Sequence, residues 1–327
     1  MNLNWKNFLL SKNAVFNNDT DVVFPSPEHT GSKFIYPITY LGVLTIAGID
    51  AAKFLQGQIT CNINDITDVK SSLGAMCNPK GRVITTFLLL KNGDAFLMIL
   101  PIELLASVKK RLQMYVLRSK VTLTDSSDEL CLVGLRDQAL QFDGVPEYRF
   151  ATSRQDNIVV DFQNRSLIIA EADNAQAFWE EQVNLGFQAE GSAQWRYLDL
   201  LSGIPWLTAE TSEEFIPQML NLDKLGGISL TKGCYTGQEI VARTHYLGKT
   251  KREMFLAECA VLVSPEPNTA IIDDSTSAEQ SVGKVLYAQK GLDACKMLVV
   301  LQNDVDTNAD NLKLKNHNQD KITLLTL

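Results

Sequence analysis

The chain has 327 residues, 45% of them apolar and 21% charged, which suits a globular protein of two or three domains rather than a disordered or fibrous one. Its net charge of −8 argues against an autonomous nucleic-acid binder. No window reaches the roughly 18 unbroken apolar residues of a membrane helix, and the start, MNLNWKNFLLSKNAVF, lacks the basic-then-apolar pattern of a signal peptide.

Cysteines stand at 61, 77, 131, 234, 259 and 295 and histidines at 29, 245 and 317, with no C-x-x-C pair. Local metal-ligand spacing is therefore missing, and scattered thiols without a secretion signal fit a reducing cytoplasm.

Residues 1–35, with Pro25, Pro27 and Gly31, read as a loose lead-in holding one short helix. A strand is expected from Ile38 to Ala47, then a helix capped by Asp50. Gln56-Gly57-Gln58-Ile59-Thr60 has two readings: a helix end with Gly57 as its left-handed cap, or amides held for a polar heterocycle. Asn78-Pro79-Lys80-Gly81 is a turn before a strand from Arg82 to Leu90, and Asn92-Gly93 turns it into a second strand from Ala95 to Leu100.

Pro101 opens a helix with Ile102, Leu105, Val108 and Leu112 at helical spacing. Strands follow at Val121–Leu123 and Leu130–Leu135, then a short helix and turn over Gly134–Gly144. Two more strands flank an Asn164 turn. A helix from Ala175 to Leu185 closes on Gly186, and a Ser192-capped helix carries Trp195. Beyond about residue 250 the pattern is all strand, at Met254–Val263, Thr269–Ile272, Ser281–Ala288, Cys295–Leu301 and Ile322–Leu327. The fold class is α+β: two α+β units within 1–250 and a small β-barrel over 251–327.

Chemistry crowds into Lys232-Gly233-Cys234-Tyr235-Thr236-Gly237-Gln238-Glu239. Thr236 and Glu239 have capping-box spacing, and Tyr235 and Ile240 have that of a hydrophobic staple. Cys234 then lies just before a helix N-terminus and two residues after Lys232, a setting that favours thiolate, although a lone cysteine is more often a small buried hydrophobe.

This octapeptide, with Glu214-Phe215-Ile216-Pro217-Gln218 and Asn221-Leu222 before it, resembles the signature of the YgfZ family. Phe54-Leu55-Gln56-Gly57-Gln58-Ile59-Thr60, Lys80-Gly81-Arg82, Trp195 with Gly203-Ile204-Pro205, and Val241-Ala242-Arg243 extend the resemblance over about residues 38–300. It implies two interwoven α+β units of the aminomethyltransferase folate-binding type and a C-terminal β-barrel, arranged as a ring. It also implies a tetrahydrofolate or related folate as cofactor, and a role in assembly or repair of iron–sulfur enzymes, such as methylthiotransferases, that modify tRNA. No direct nucleic-acid or membrane partner is expected, and the location is cytoplasmic.

The family's functional cysteine carries over to Cys234, with Lys232 beside it, and its folate-stacking tryptophan to Trp195. Gln56, Gln58 and Asn78 are candidates for the pterin edge and Arg243 for the glutamate tail. The basic run Lys232, Arg243, Lys249, Lys251 and Arg252 reads equally as a solvated face. Leu41, beside Tyr40, stands where many relatives carry a second aromatic wall. The aminomethyltransferase related to this family, the T-protein of the glycine cleavage system, carries an aspartate on the strand that here runs from Gly81 to Leu90 without a carboxylate, and an acid where this chain has Leu201. A tetrahydrofolate-dependent aminomethyl or one-carbon transferase is thus the alternative, and the reading leans away from an enzyme.

Overall fold

A computed structural model describes residues 1–25, 31–137, 150–154, 157–162, 165–248, 250–260, 264–274, 281–291, 294–304, 311–315 and 321–325. The chain divides into two compact units. The first holds residues 1–56, 62–73 and 87–195, and the second holds 57–61, 74–86 and 196–327.

The first unit begins with α1 (Leu3–Ser11), whose first turn is capped by the Asn2 side chain accepting from the Trp5 amide. Strands β1 (Val15–Asn18) and β2 (Asp21–Val23) form a ribbon, followed by β3 (Lys33–Pro37), β4 (Leu41–Ala47) and α2 (Ala51–Gln56). The lead-in is therefore ordered structure. Trp5 and Leu9 of α1 are buried beside Trp179, and the Trp5 and Trp179 rings meet edge-on at 5.7 Å. The expected 38–47 strand is broken before Leu41, because β3 and β4 belong to different sheets.

Strands β5 (Ser72–Cys77) and β6 (Val83–Asn92) are divided between the units. β7 (Ala95–Pro101) returns along β6 through a turn in which Gly93 takes φ +57°, and α3 (Ile102–Val116) follows Pro101 as expected. Helix α3 buries Leu104, Leu105, Val108, Leu112 and Val116 toward β4, β7 and β8 (Thr122–Asp125).

The other sheet of this unit combines β9 (Leu130–Asp137), β10 (Phe150–Arg154), β11 (Asn157–Phe162), β12 (Arg165–Glu171) and, after α4 (Ala172–Asn184), β13 (Gln188–Ala189), in the order β10-β11-β12-β9-β3-β13. Residues 134–137, expected to start a helix, continue β9; the rest of that prediction, and Asn164, fall outside the described residues. One face of the sheet, with Ile35, Cys131, Val133, Ile168 and Ala170, packs with α1 and α4 into the unit's core.

Helix α5 (Ser192–Leu201) starts in the first unit, where the Ser192 hydroxyl accepts from the Val22 amide, and the chain passes into the second unit after Trp195. After α6 (Gln238–Leu247) come β14 (Arg252–Cys259), β15 (Ala270–Asp273), β16 (Ser281–Lys290), β17 (Cys295–Gln302), β18 (Leu312–Leu314) and β19 (Ile322–Leu325). They form one antiparallel sheet in the order β18-β15-β16-β17-β14-β19. It curls until its edges meet at a bridge between Lys313 and Lys321. Met297, Val299 and Leu301 alternate along β17 into its core with Ala257, Ile271 and Leu312. The segment 203–227 is tied to this sheet by Tyr287 donating to the Ile204 carbonyl at 2.9 Å and Asn221 donating to that of Met254 at 2.9 Å. Among the described residues no helix is long and apolar enough to cross a membrane.

Candidate functional site

The second unit builds the loop that carries Cys234 from three pieces of chain. The first is the turn at Asn78. Its side-chain oxygen accepts from the amides of Lys80 and Arg82 at 2.9 and 3.1 Å, and its amide nitrogen donates to Glu213 at 2.7 Å. The Asn78 oxygen is therefore spent on the backbone of the turn and its nitrogen on the Glu213 carboxylate. Gly81 closes the turn at φ +70°.

The second piece is the start of α6. Gly237 sits at φ +83°, and a Cβ there would lie 2.6 Å from the Asn78 carbonyl oxygen and 3.0 Å from the Gly81 Cα. Two left-handed glycines thus pack back to back, an approach that side chains would block. This overturns the expected capping box. The N-cap is Gly237, with no side-chain cap bond, and the Thr236 amide instead donates to the Gly57 carbonyl at 3.2 Å. A box with Thr236 as cap needs Gly237 to be the first helical residue, and its φ of +83° is not helical. The staple lapses with it: Ile240 packs toward Gly81. Gly57 is not among the left-handed glycines, so it is no αL cap either.

The third piece is the strip 57–61. Ser229 donates to the Thr60 carbonyl, the Thr60 hydroxyl to that of Gly227, and the Lys232 ammonium to those of Ile59 (2.6 Å) and Cys61 (2.9 Å). Lys232 is buried, and its Nζ also lies 4.9 Å from the centre of the Tyr235 ring. Burial lowers its pKa from the ordinary 10.5 to about 8. Tyr235 is buried too, which pushes its phenol up, and its hydroxyl is without a hydrogen-bond partner among the described residues, as is the Gln58 carbonyl oxygen. Cys234 projects between these anchors and is exposed; the other five cysteines are buried, with Cys77 pushed up to about 12 by desolvation. Arg243 is exposed on α6, and Lys249 lies outside the described residues.

Trp195 belongs to the first unit, on the sheet face opposite the α1/α4 core. It is 1% exposed. Gly134 faces its ring so closely that a Cβ would come within 2.3 Å of Cε3, the Arg165 guanidinium lies 4.7 Å from its centre, and Tyr36 packs at 5.5 Å. Strand register assembles this set: Tyr36 pairs with Gly134 and Arg165 with Arg136. Arg136, Glu190 and Arg165 all act on the Tyr36 phenol, whose pKa burial raises. The Arg136 Nε is buried without a partner. Two opposed arginines are unfavourable unless compensated, and Glu190, 9% exposed, supplies a counter-charge.

The remaining predicted residues in this unit go elsewhere. The Gln56 amide donates to Asn62 at 2.8 Å and accepts from the Ile63 amide at 2.9 Å, so it is occupied locally. Tyr40 and Leu41 are buried; Leu41 lines a cleft of about 350 Å³ with Trp5, Thr39 and Cys131, and Trp195 is not in its lining. Arg136, Arg165 and Glu190 were not foreseen; the available signal was arginine beside apolar residues on strands that otherwise alternate.

No family model matches the chain. Its sequence is 31% identical over 299 residues to the tRNA-modifying protein YgfZ of Colwellia psychrerythraea, a match covering 88% of this chain and 91% of that relative. Its fold is similar to that of glycine cleavage system aminomethyltransferase T from Bartonella henselae, with a TM-score of 0.69 over 91% of this chain and 86% of that one, at 11% identity.

Proposed function

The chain belongs to the YgfZ family, and from that membership we propose that it is a folate-binding accessory protein serving tRNA modification by assembling or repairing iron–sulfur enzymes. The observation that carries the reading is Cys234, the one exposed thiol of six, on a loop anchored by Lys232 on one side and the Thr236 amide on the other. An exposed thiolate can attack a disulfide or bind a soft metal transiently. One cysteine cannot hold an iron–sulfur cluster, which takes about four ligands. Cys234 therefore acts by exchange with a client such as a methylthiotransferase. Lys232 positions it: the ammonium is committed to backbone carbonyls, so its part is to hold the loop.

For the folate, Trp195 is the ring assigned to the pterin. The polar set around it fits a flat heterocycle with a hydrogen-bonding edge, because the Arg136 Nε is an unspent buried donor. Stacking requires Arg165 to leave the Trp195 face. Bound tetrahydrofolate would supply a one-carbon carrier. In the second unit the exposed Arg243 is the cation assigned to the glutamate tail, while the Gln58 carbonyl oxygen and the Tyr235 hydroxyl are buried.

In cells lacking the chain, the Cys234→Ser variant should fail to restore methylthio-modified tRNA while still quenching tryptophan fluorescence on titration with tetrahydrofolate. Full restoration by that variant overturns the thiol assignment. Aminomethyl transfer is the second reading, favoured by the fold alone. Against it, Val83 to Leu90 of β6 is buried and acid-free, and Asp199 of α5 already accepts from Trp206 Nε1 at 2.7 Å. Turnover of an aminomethyl-lipoyl carrier to methylene-tetrahydrofolate would reverse the preference.

A further inference from the structure

Two thiols unused by the Cys234 loop face each other in the C-terminal sheet. Cys259 ends β14 and Cys295 begins β17, and the antiparallel register sets them directly opposite, with Ala257 and Met297 as the next pair on the same face. Both are buried, at 2% and 0% exposure. Directly opposed antiparallel residues have Cα atoms about 5.5 or about 4.5 Å apart, according to the type of pair. A disulfide accepts roughly 4.4–6.8 Å. Either type of pair can therefore be bridged with little strand movement.

The sulfurs already interact. A side-chain hydrogen bond joins Cys259 to Cys295, and the Ser264 hydroxyl lies 3.7 Å from the Cys295 Sγ. These contacts favour the Cys295 thiolate over the thiol, against the opposing effect of burial. Ser264 itself is only partly buried.

We propose that Cys259 and Cys295 are a peroxide-responsive dithiol that closes to a cross-strand disulfide between β14 and β17. The Cys295 thiolate attacks one oxygen of hydrogen peroxide. The O–O bond breaks, and the leaving hydroxide takes a proton to depart as water. Cys295 is left as a sulfenic acid. The Cys259 sulfur then attacks the Cys295 sulfur; the S–S bond forms, the S–O bond breaks, and hydroxide leaves with the Cys259 proton as a second water. Two thiols and one peroxide give one disulfide and two waters. The sulfurs are oxidised and the peroxide oxygens reduced.

The test uses the full-length protein, titrated with hydrogen peroxide, denatured, alkylated and mapped by peptide mass spectrometry. The expected product joins the Cys259 and Cys295 peptides at a mass two hydrogens below the reduced pair, and dithiothreitol reverses it. Cys61, Cys77 and Cys131 should stay alkylatable. In Cys259→Ser, dimedone should capture a sulfenic acid at Cys295 that it does not capture in the wild type. The proposal is overturned if both cysteines alkylate fully at peroxide levels that oxidise Cys234, or if wild-type Cys295 proceeds to sulfinic acid without the cross-link. Should Cys259→Ser not fold, the wild-type map alone decides between these outcomes.

Discussion

The Arg165 guanidinium lies 4.7 Å from the centre of the Trp195 ring while its strand position pairs with a second arginine, Arg136. A ligand that stacks on this tryptophan must displace that cation. A desolvated cation–π contact is worth about 1–2 kcal/mol. Arg165→Ala should therefore tighten tetrahydrofolate binding by roughly five- to thirtyfold. Fluorescence titration checks it, and Trp195→Ala should abolish the quenching. Weaker binding in Arg165→Ala would mean that the guanidinium holds the ligand rather than shielding the ring.

On the ring's Gly134 side there is no slack. Gly134→Ala puts a methyl 2.3 Å from Trp195 Cε3 and should cost about 1–3 kcal/mol, read as a lower urea midpoint. Combining it with Trp195→Leu should recover part of the loss, because the two changes share one space.

Lys232 gives a pH signature. Its pKa falls from 10.5 in the unfolded chain to about 8 in the fold, so between those values the unfolded state holds the extra proton. Stability from this group therefore rises with pH from about 8 to 10.5, and the burial penalty is fully present below 8. Lys232→Met should remove that rise. It should also leave the Ile59 and Cys61 carbonyls without their donor, a loss of about 1–3 kcal/mol at pH 7. Urea midpoints at pH 7, 9 and 10 for both proteins test the sign.

Gly237→Ala combines φ +83° with a Cβ 2.6 Å from the Asn78 carbonyl oxygen. The strain alone is about 1–3 kcal/mol. A lower unfolding midpoint is expected, together with a changed alkylation rate at Cys234, whose loop ends on this glycine.

Local signals in the sequence were strong where one element decides its own shape. Pro101 and the Ile102–Leu112 spacing specify α3, and Gly186 at φ +91° closes the stretch after α4. They failed where distant chain decides. Helix α1 shows little local pattern, and Trp5 and Leu9 are held by Trp179, far along the chain. Strand β5, with Gly74, Ala75 and Cys77, lacks the bulky β-formers that flag a strand, and β18 is three residues long. The Thr236–Glu239 pattern was a genuine local signature defeated by the left-handed backbone at Gly237. Cys234 and Trp195 could be picked out singly, but the residues around Trp195 come from positions 36, 134, 136, 165 and 190, which only strand register brings together.

The division of the chain into units also bears on its synthesis. The polypeptide passes between them at 56/57, 61/62, 73/74, 86/87 and 195/196. The strip that anchors Lys232 leaves the ribosome more than a hundred residues before Lys232 itself does. Nascent 57–61 and 74–86 must therefore wait with unmet carbonyls and apolar side chains until the last third of the chain arrives. The second unit can complete only late in translation, and a truncation within residues 196–327 strands those early segments even though it lies far from them in sequence.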